Sequence, residues 1–248
     1  GFIFSSDLER LAVAFPKVRF AGVDYAPTGD GMPPANLVGL RFREHEGSFV
    51  VGAIAGLLSE RRVVGFVGGM QIPLIRKFEA GYIAGVHHVC PSCRVVSAYA
   101  GTEPKAFADP TLGQELAAAQ FGQGADIIFH AAGASGSGLF EAAVEARGDN
   151  ENIWAIGVDS DQYKLVPEDQ QKIMLTSMIK KVDVAVAGAI TDFDNGSTEG
   201  GVTSFDLEAG GVDYSTSGGF VDDISGDIDK LKEQIISGEI EVPITPQG

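Results

Sequence analysis

From Arg62 to Asp159 the chain alternates short apolar runs rich in β-branched residues with longer segments whose apolar residues recur at helical spacing. The order is strand (62–69), helix (72–89), strand (94–100), helix (111–122), strand (126–132), helix (138–147), strand (153–159). Strands joined by single helices and short connections pair in parallel, and right-handed crossovers put helices on both faces of the sheet. The chain is therefore α/β. No shorter repeat is present, which excludes a solenoid.

Two strands end in the same way. Trp154-Ala-Ile-Gly-Val-Asp159-Ser-Asp161-Gln162 runs apolar and stops at a carboxylate, and Phe20-Ala-Gly-Val-Asp24 echoes it. Open α/β sheets bind ligands outside the carboxyl ends of their strands, so Asp24 and Asp159 are candidate hydrogen-bond acceptors for a small polar ligand. The competing reading is that each caps the following turn or helix.

The flanking segments are read more coarsely. Residues 1–4 read as a strand end, 6–15 as a helix stopped by Pro16, 17–24 and 36–42 as strands, and 44–58 as a helix with a small-residue face at Gly52, Ala53 and Gly56. Gly and Pro make 27–34 a loop. Residues 172–177 read as a strand, 178–193 as a helix, 192–201 as turns, 202–207 with 211–214 as a hairpin, and 228–238 as an amphipathic helix before a tail from Pro243.

The 248 residues suffice for one large domain or two modest ones. With 34 acidic and 18 basic side chains the net charge is −16, which argues against nucleic acid, anionic membranes and phosphate-rich partners. No segment approaches the roughly 20 apolar residues of a membrane-spanning helix. The chain opens on Gly1 with no initiator Met and no signal-like segment, so Gly1 is not expected to be the natural start.

His87-His88 precede Cys90-Pro-Ser-Cys93. All four potential ligands lie on one short segment, whereas structural zinc sites join two distant pairs, so a local disulfide or free thiols are favoured over metal. Gly133-Ala-Ser-Gly136-Ser-Gly138 follows a strand and opens a helix, whose free N–H groups suit an anion or a hydroxyl; a plain tight turn is the alternative. Its spacing is neither a dinucleotide fingerprint nor a P-loop, and no cofactor is expected. Phe107, in the loop Thr102 to Pro110, could stack on a planar ring or tuck into the core, and Asp109 before Pro110 should cap the next helix. Lys180 reads as one turn into a helix, where the dipole disfavours a cation and calls for a compensating carboxylate or ligand. His45, His87, His88 and His130 form no readable triad with Ser or Cys, and no catalytic constellation emerges.

Taken in order, several pieces resemble the basic membrane lipoprotein, or PnrA-like, family of nucleoside-binding components of ABC transporters. They include Phe20-Ala-Gly-Val-Asp24, Phe42-Arg-Glu-His-Glu-Gly-Ser-Phe49, Val67-Gly-Gly-Met-Gln-Ile-Pro73, Phe78-Glu-Ala-Gly81, Phe107-Ala-Asp-Pro110, Gly157-Val-Asp-Ser-Asp-Gln162 and Thr176-Ser-Met-Ile-Lys180. The Gly-Val-Asp-x-Asp-Gln and Thr-Ser-x-x-Lys pieces together are specific.

The resemblance implies a type I periplasmic-binding-protein fold: two Rossmann-like lobes with parallel sheets, 1–59 with 174–198 forming lobe I and 60–173 with 199–248 forming lobe II. It also implies a purine nucleoside ligand such as inosine, guanosine or adenosine, with an aromatic on the base and carboxylates plus a lysine on the ribose. Asp24, Phe107, Asp159 and Lys180 become ligand-binding by position, with Gly138 beside them. The implied protein is extracytoplasmic, monomeric, non-enzymatic, partnered by permease subunits, and anchored by a lipid that lies outside this chain. Family members carry further residues ahead of the point matching Gly1, about half a lobe by ordinary domain size, so the first lobe is expected to be truncated at its N-terminus. The sensing domain of a regulator with the same fold and a nucleoside hydrolase are the alternatives.

Overall fold

A computed structural model describes residues 1–25, 27–28, 31–148, 152–196 and 200–246. Parts of the expected loop 27–34, the expected turns at 192–201 and the C-terminal tail fall outside the described residues. The chain divides into two compact units, Gly1–Arg43 with Lys181–Val212 and Glu44–Lys180 with Asp213–Gly248.

Unit 1 begins with a single 3-10 turn, Phe2–Phe4, where a strand end was expected, and this turn leads directly into α1 (Ser5–Ala14). Its parallel sheet has the order β1-β2-β8, from β1 (Phe20–Val23), β2 (Leu37–Phe42) and β8 (Gly201–Phe205). α7 (Val182–Asp194) completes the unit. Ala12, Tyr25 and Leu37 form a small core on which Leu8 and Phe20 pack. The sheet's Phe20, Val38 and Leu40 and the helical Val186, Ile190 and Phe193 line an apolar groove of about 560 Å³.

Unit 2 is organised on a six-stranded sheet of order β4-β3-β5-β6-β7-β9. Its strands are β3 (Val63–Met70), β4 (Arg94–Gly101), β5 (Ile127–Ala131), β6 (Trp154–Asp159), β7 (Met174–Lys180) and β9 (Val212–Tyr214). β4, β3, β5, β6 and β7 are parallel, as the alternating pattern requires. The helices are α2 (Glu44–Leu58), α3 (Pro73–Val89), α4 (Pro110–Gly122), α5 (Gly136–Arg147), the short α6 (Glu168–Gln171) and α8 (Ser225–Ile236). β5 is buried along its whole length and is apolar except for His130. Among the described residues no helix is long and apolar enough to cross a membrane.

Glycines set two helix pairs in this unit. A Cβ on Gly52 would lie 2.3 Å from the Tyr82 carbonyl oxygen, and one on Gly81 or Gly85 would lie 2.0 Å from that of His45 or Phe49. The α2 and α3 backbones therefore touch. α4 and α5 repeat the device, Gly113 against Ser135 O and Gly138 against Pro110 O, both at 1.9 Å.

Several expectations are corrected. α2 packs on α3 and belongs to unit 2, and the strand before α7 runs to Lys180, so the chain changes units after Arg43, Lys180 and Val212 instead of after 59, 173 and 198. β7 extends to Lys180 because it stays laddered to β6 through Val158↔Met178 and Asp159↔Ile179. A short apolar run such as Met178-Ile179 looks alike in strand and helix, and only the neighbouring strand decides. The expected hairpin is also absent: β8 pairs with β2 and β9 joins the other sheet, the chain changing sheets through Gly210 at φ 66 and Gly211. Cys90 and Cys93 are joined by a disulfide between the end of α3 and the start of β4.

Candidate functional site

Each unit, taken by itself, presents one acid at the carboxyl edge of its sheet. In unit 1, β1 stops at Val23 and Asp24 takes φ 58, its N–H donating to Leu40 O at 2.9 Å. The left-handed region is unfavourable for most side chains, and Asp and Asn are among the few that visit it. The turn folds Tyr25 back under the sheet end, fully buried, where Cβ atoms on Gly22 and Gly39 would come within 2.8 Å of it. Tyr25 Oη donates to Glu9 Oε1 at 2.7 Å, and Thr28 N donates to the same oxygen at 2.8 Å. Burial, then the bond to Glu9, raises the phenol pKa above its ordinary value. Asp24 is thus fixed at the rim by the residue next to it in the chain.

Unit 2 uses the same grammar. β6 ends at Asp159 with φ 67, exposed, two residues after Gly157. Here Gln162 folds back, so a Cβ on Gly157 would meet its Oε1 at 2.5 Å. Asp24, Arg62 and Asp159 are the non-glycine residues with positive φ among those described, and two of these three close a Gly-Val-Asp strand end. The segment after Asp159 is a 3-10 turn, Gln162–Lys164, whose N-cap position is held by Asp161. Asp161 is committed elsewhere, accepting from Ser215 Oγ at 2.8 Å, Ser217 Oγ at 2.6 Å and Lys164 Nζ at 2.8 Å. Burial raises its pKa, but these three donors outweigh it and the net shift is downward.

Because the strands are parallel, the segments leaving β4, β5, β6 and β7 gather on one edge of unit 2. Phe107, half-buried, closes the 3-10 turn Pro104–Phe107 after β4. Its ring lies over Gly69, where a Cβ would sit 2.2 Å from it, and its backbone meets Gly133. Ser135 Oγ donates to Ala106 O and accepts from Asp109 N, both at 2.8 Å, tying the Phe107 turn to the start of α5. Asp109 Oδ1 accepts from Leu112 N at 3.0 Å and caps α4, as the sequence suggested. Gly138 is buried, and its missing side chain is explained by the contact with Pro110 O.

Lys180, 7% exposed, ends β7. Its Nζ is 3.6 Å from Glu44 Oε1, and Lys77 Nζ is 3.4 Å from Glu44 Oε2, with Glu44 1% exposed. A strand-end cation beside a buried carboxylate replaces the expected conflict with a helix dipole. Sequence reasoning missed Glu44. Its only signal was the acidic start of α2, which reads as ordinary helix-dipole compensation. Thr176 and Ser177 anchor the same strand sideways, Thr176 Oγ1 donating to Ser215 O at 2.6 Å and Ser177 Oγ accepting from Gln162 N at 3.1 Å.

His130, fully buried, lies beneath this edge with Nε2 3.0 Å from Gln162 Oε1. Burial lowers its pKa from 6.5 to about 4 despite that bond. The unfolded chain therefore binds the extra proton between those values, so the stabilisation is complete above pH 6.5 and is lost as pH falls toward 4. Between pH 7.0 and 4.5 the expected loss is about 2 kcal/mol, the order set by 1.36 kcal/mol per pKa unit. Urea unfolding at pH 7.0 and 4.5 should show it in the wild type, and His130→Gln should remove much of the difference.

Ionised carboxylates accept hydrogen bonds only, lysine donates, and an aromatic ring stacks. Among the described residues no group of three or more His, Cys, Asp or Glu side chains is gathered for a metal.

A family described as ABC transporter substrate-binding protein PnrA-like matches residues 1–245. The CD4+ T-cell-stimulating antigen of Listeria monocytogenes is 34% identical over 99% of this chain and 69% of its own length. The ABC transporter nucleoside-binding protein BmpA of Lactococcus lactis is 31% identical over 98% of this chain and 69% of its own. Among solved structures, an ABC transporter solute-binding protein from Aeropyrum pernix superimposes with a TM-score of 0.82 at 29% identity, covering 100% of this chain and 76% of that one. The fold is that of the type I periplasmic-binding proteins, and the chain belongs to the PnrA-like family of ABC transporter substrate-binding proteins.

Proposed function

We propose that the chain belongs to a receptor that binds a purine nucleoside outside the cytoplasm and delivers it to the permease of an ABC transporter. The observation that carries this reading is the repeated strand end: both units hold an Asp in the left-handed conformation after Gly-Val, at the carboxyl edge of a parallel sheet. In this reading Asp24 and Asp159 accept hydrogen bonds from ribose hydroxyls, Lys180 donates to the sugar, and Phe107 stacks on the base. Gly138 serves from below, letting α5 pack on α4. The relative named as nucleoside-binding supports the ligand class, and the net charge of −16 disfavours nucleotides. The receptor acts as a monomer, without catalysis, held at the membrane by a lipid anchor.

A thermal-shift panel on the purified full-length protein tests this. Inosine, guanosine or adenosine at about 100 times its Kd should add about 2.7 kcal/mol, a rise of about 5 to 10 °C for a protein of this size. Free bases, ribose, peptides and nucleoside monophosphates should leave the melting curve near its starting point. A panel in which no nucleoside moves the curve would reject the reading.

A further inference from the structure

Past Ile156 the strands β5 and β6 part. Their ladder ends at Phe129↔Ile156, while β6 stays paired with β7 out to Asp159↔Ile179. The side chain of Gln162 fills the opening. Its Oε1 accepts from Val158 N at 2.7 Å and lies 3.0 Å from His130 Nε2, and its backbone N–H donates to Ser177 Oγ at 3.1 Å.

The hydrogen positions are set by elimination. A backbone N–H can only donate, so the Gln162 atom facing Val158 must be the amide oxygen, and His130 Nε2 must then carry the proton. That leaves Nδ1 bare, and Nδ1 indeed has no hydrogen-bond partner among the described residues. Two glycines make the room: a Cβ on Gly136 would sit 2.0 Å from His130 Cε1, and one on Gly157 would sit 2.5 Å from Gln162 Oε1. One acceptor thus satisfies two donors that the parting strands leave behind, one of them the amide immediately before Asp159.

We propose that Gln162, oriented by His130, is a positioning residue for ligand binding: it replaces the lost strand pairing beside Val158 and so fixes the left-handed Asp159 at the rim. The claim rests on Asp159 binding the nucleoside. It differs from a space-filling role, in which any side chain of similar volume would serve.

Gln162→Met fills the gap without an acceptor, and Gln162→Glu keeps the acceptor oxygen. Inosine titrations at pH 7.5 should show about tenfold weaker binding for the Met variant, the size of losing one or two hydrogen bonds, and binding within about threefold of wild type for the Glu variant. In an Asp159→Asn background the Met substitution should cost nothing further, because it acts through Asp159. Nitrogen-15 NMR of the wild type should find His130 as the Nε2–H tautomer, a measurement that needs no variant to fold. Wild-type affinity in Gln162→Met, a full tenfold loss persisting beside Asp159→Asn, or an Nδ1–H tautomer would each overturn the positioning role while leaving the nucleoside reading in place. Failure of the wild type to bind inosine would overturn both.

Discussion

Asp159→Ala should weaken inosine binding about a hundredfold and leave the protein folded. The side chain is exposed and ends β6 beyond the core, so its removal opens no cavity. Its proposed contribution is charge-assisted hydrogen bonding to hydroxyls, and losing two such bonds costs about 3 kcal/mol, or roughly two powers of ten. Alanine must also hold φ 67, which costs about 1 kcal/mol of stability. Asp159→Asn separates the two effects. Asparagine tolerates the left-handed turn but replaces one acceptor oxygen with a donor, so affinity should drop nearly as far while the melting temperature holds. Calorimetry and melting curves on both variants check this pattern.

The largest loss of stability is expected from Gly81→Val. A Cβ at this position meets the His45 carbonyl oxygen at 2.0 Å, and the obstacle is helix backbone, which cannot rotate away as a side-chain tip can. α2 and α3 would have to separate along a seam that also includes Gly52, Gly56 and Gly85. Overpacking of this kind costs about 1–3 kcal/mol and sometimes more. With γ-methyls added, we expect about 4 kcal/mol and a fall in Tm of about 10 °C. Gly188→Ala is the matched opposite. That glycine is helical and a Cβ there meets nothing within 4 Å, so the helix propensity of alanine should raise stability by about 0.5 to 1 kcal/mol. Thermal unfolding of the pair distinguishes packing from propensity.

The parallel sheet of unit 2 was legible because each buried strand is a short apolar run and each crossover helix has its own period. The strand-end acids were legible for the same reason: a carboxylate ending a run such as Ala155-Ile-Gly-Val158 marks the sheet edge. The features that escaped depend on long-range pairing. Whether Met178 to Lys180 continues a strand is decided by β6 alongside it, and β8 and β9 look like two arms of a hairpin until their partners β2 and β7 are known. Glu44 was hidden because its partners, Lys77 and Lys180, are distant in sequence. Gln162 was hidden because its role arises only where β5 and β6 diverge. Gly138 shows the reverse: a glycine that looked like part of a ligand-facing turn owes its identity to α4 packing against α5.

The decisive measurement is a calorimetric comparison of inosine with 2′,3′-dideoxyinosine on the full-length protein. If acids at the tips of parallel strands grip a vicinal diol, inosine should bind with one-to-one stoichiometry and the dideoxy compound about a hundredfold more weakly, the same loss as removing the acid. Equal affinity for the two, or no binding of either, would contradict the account.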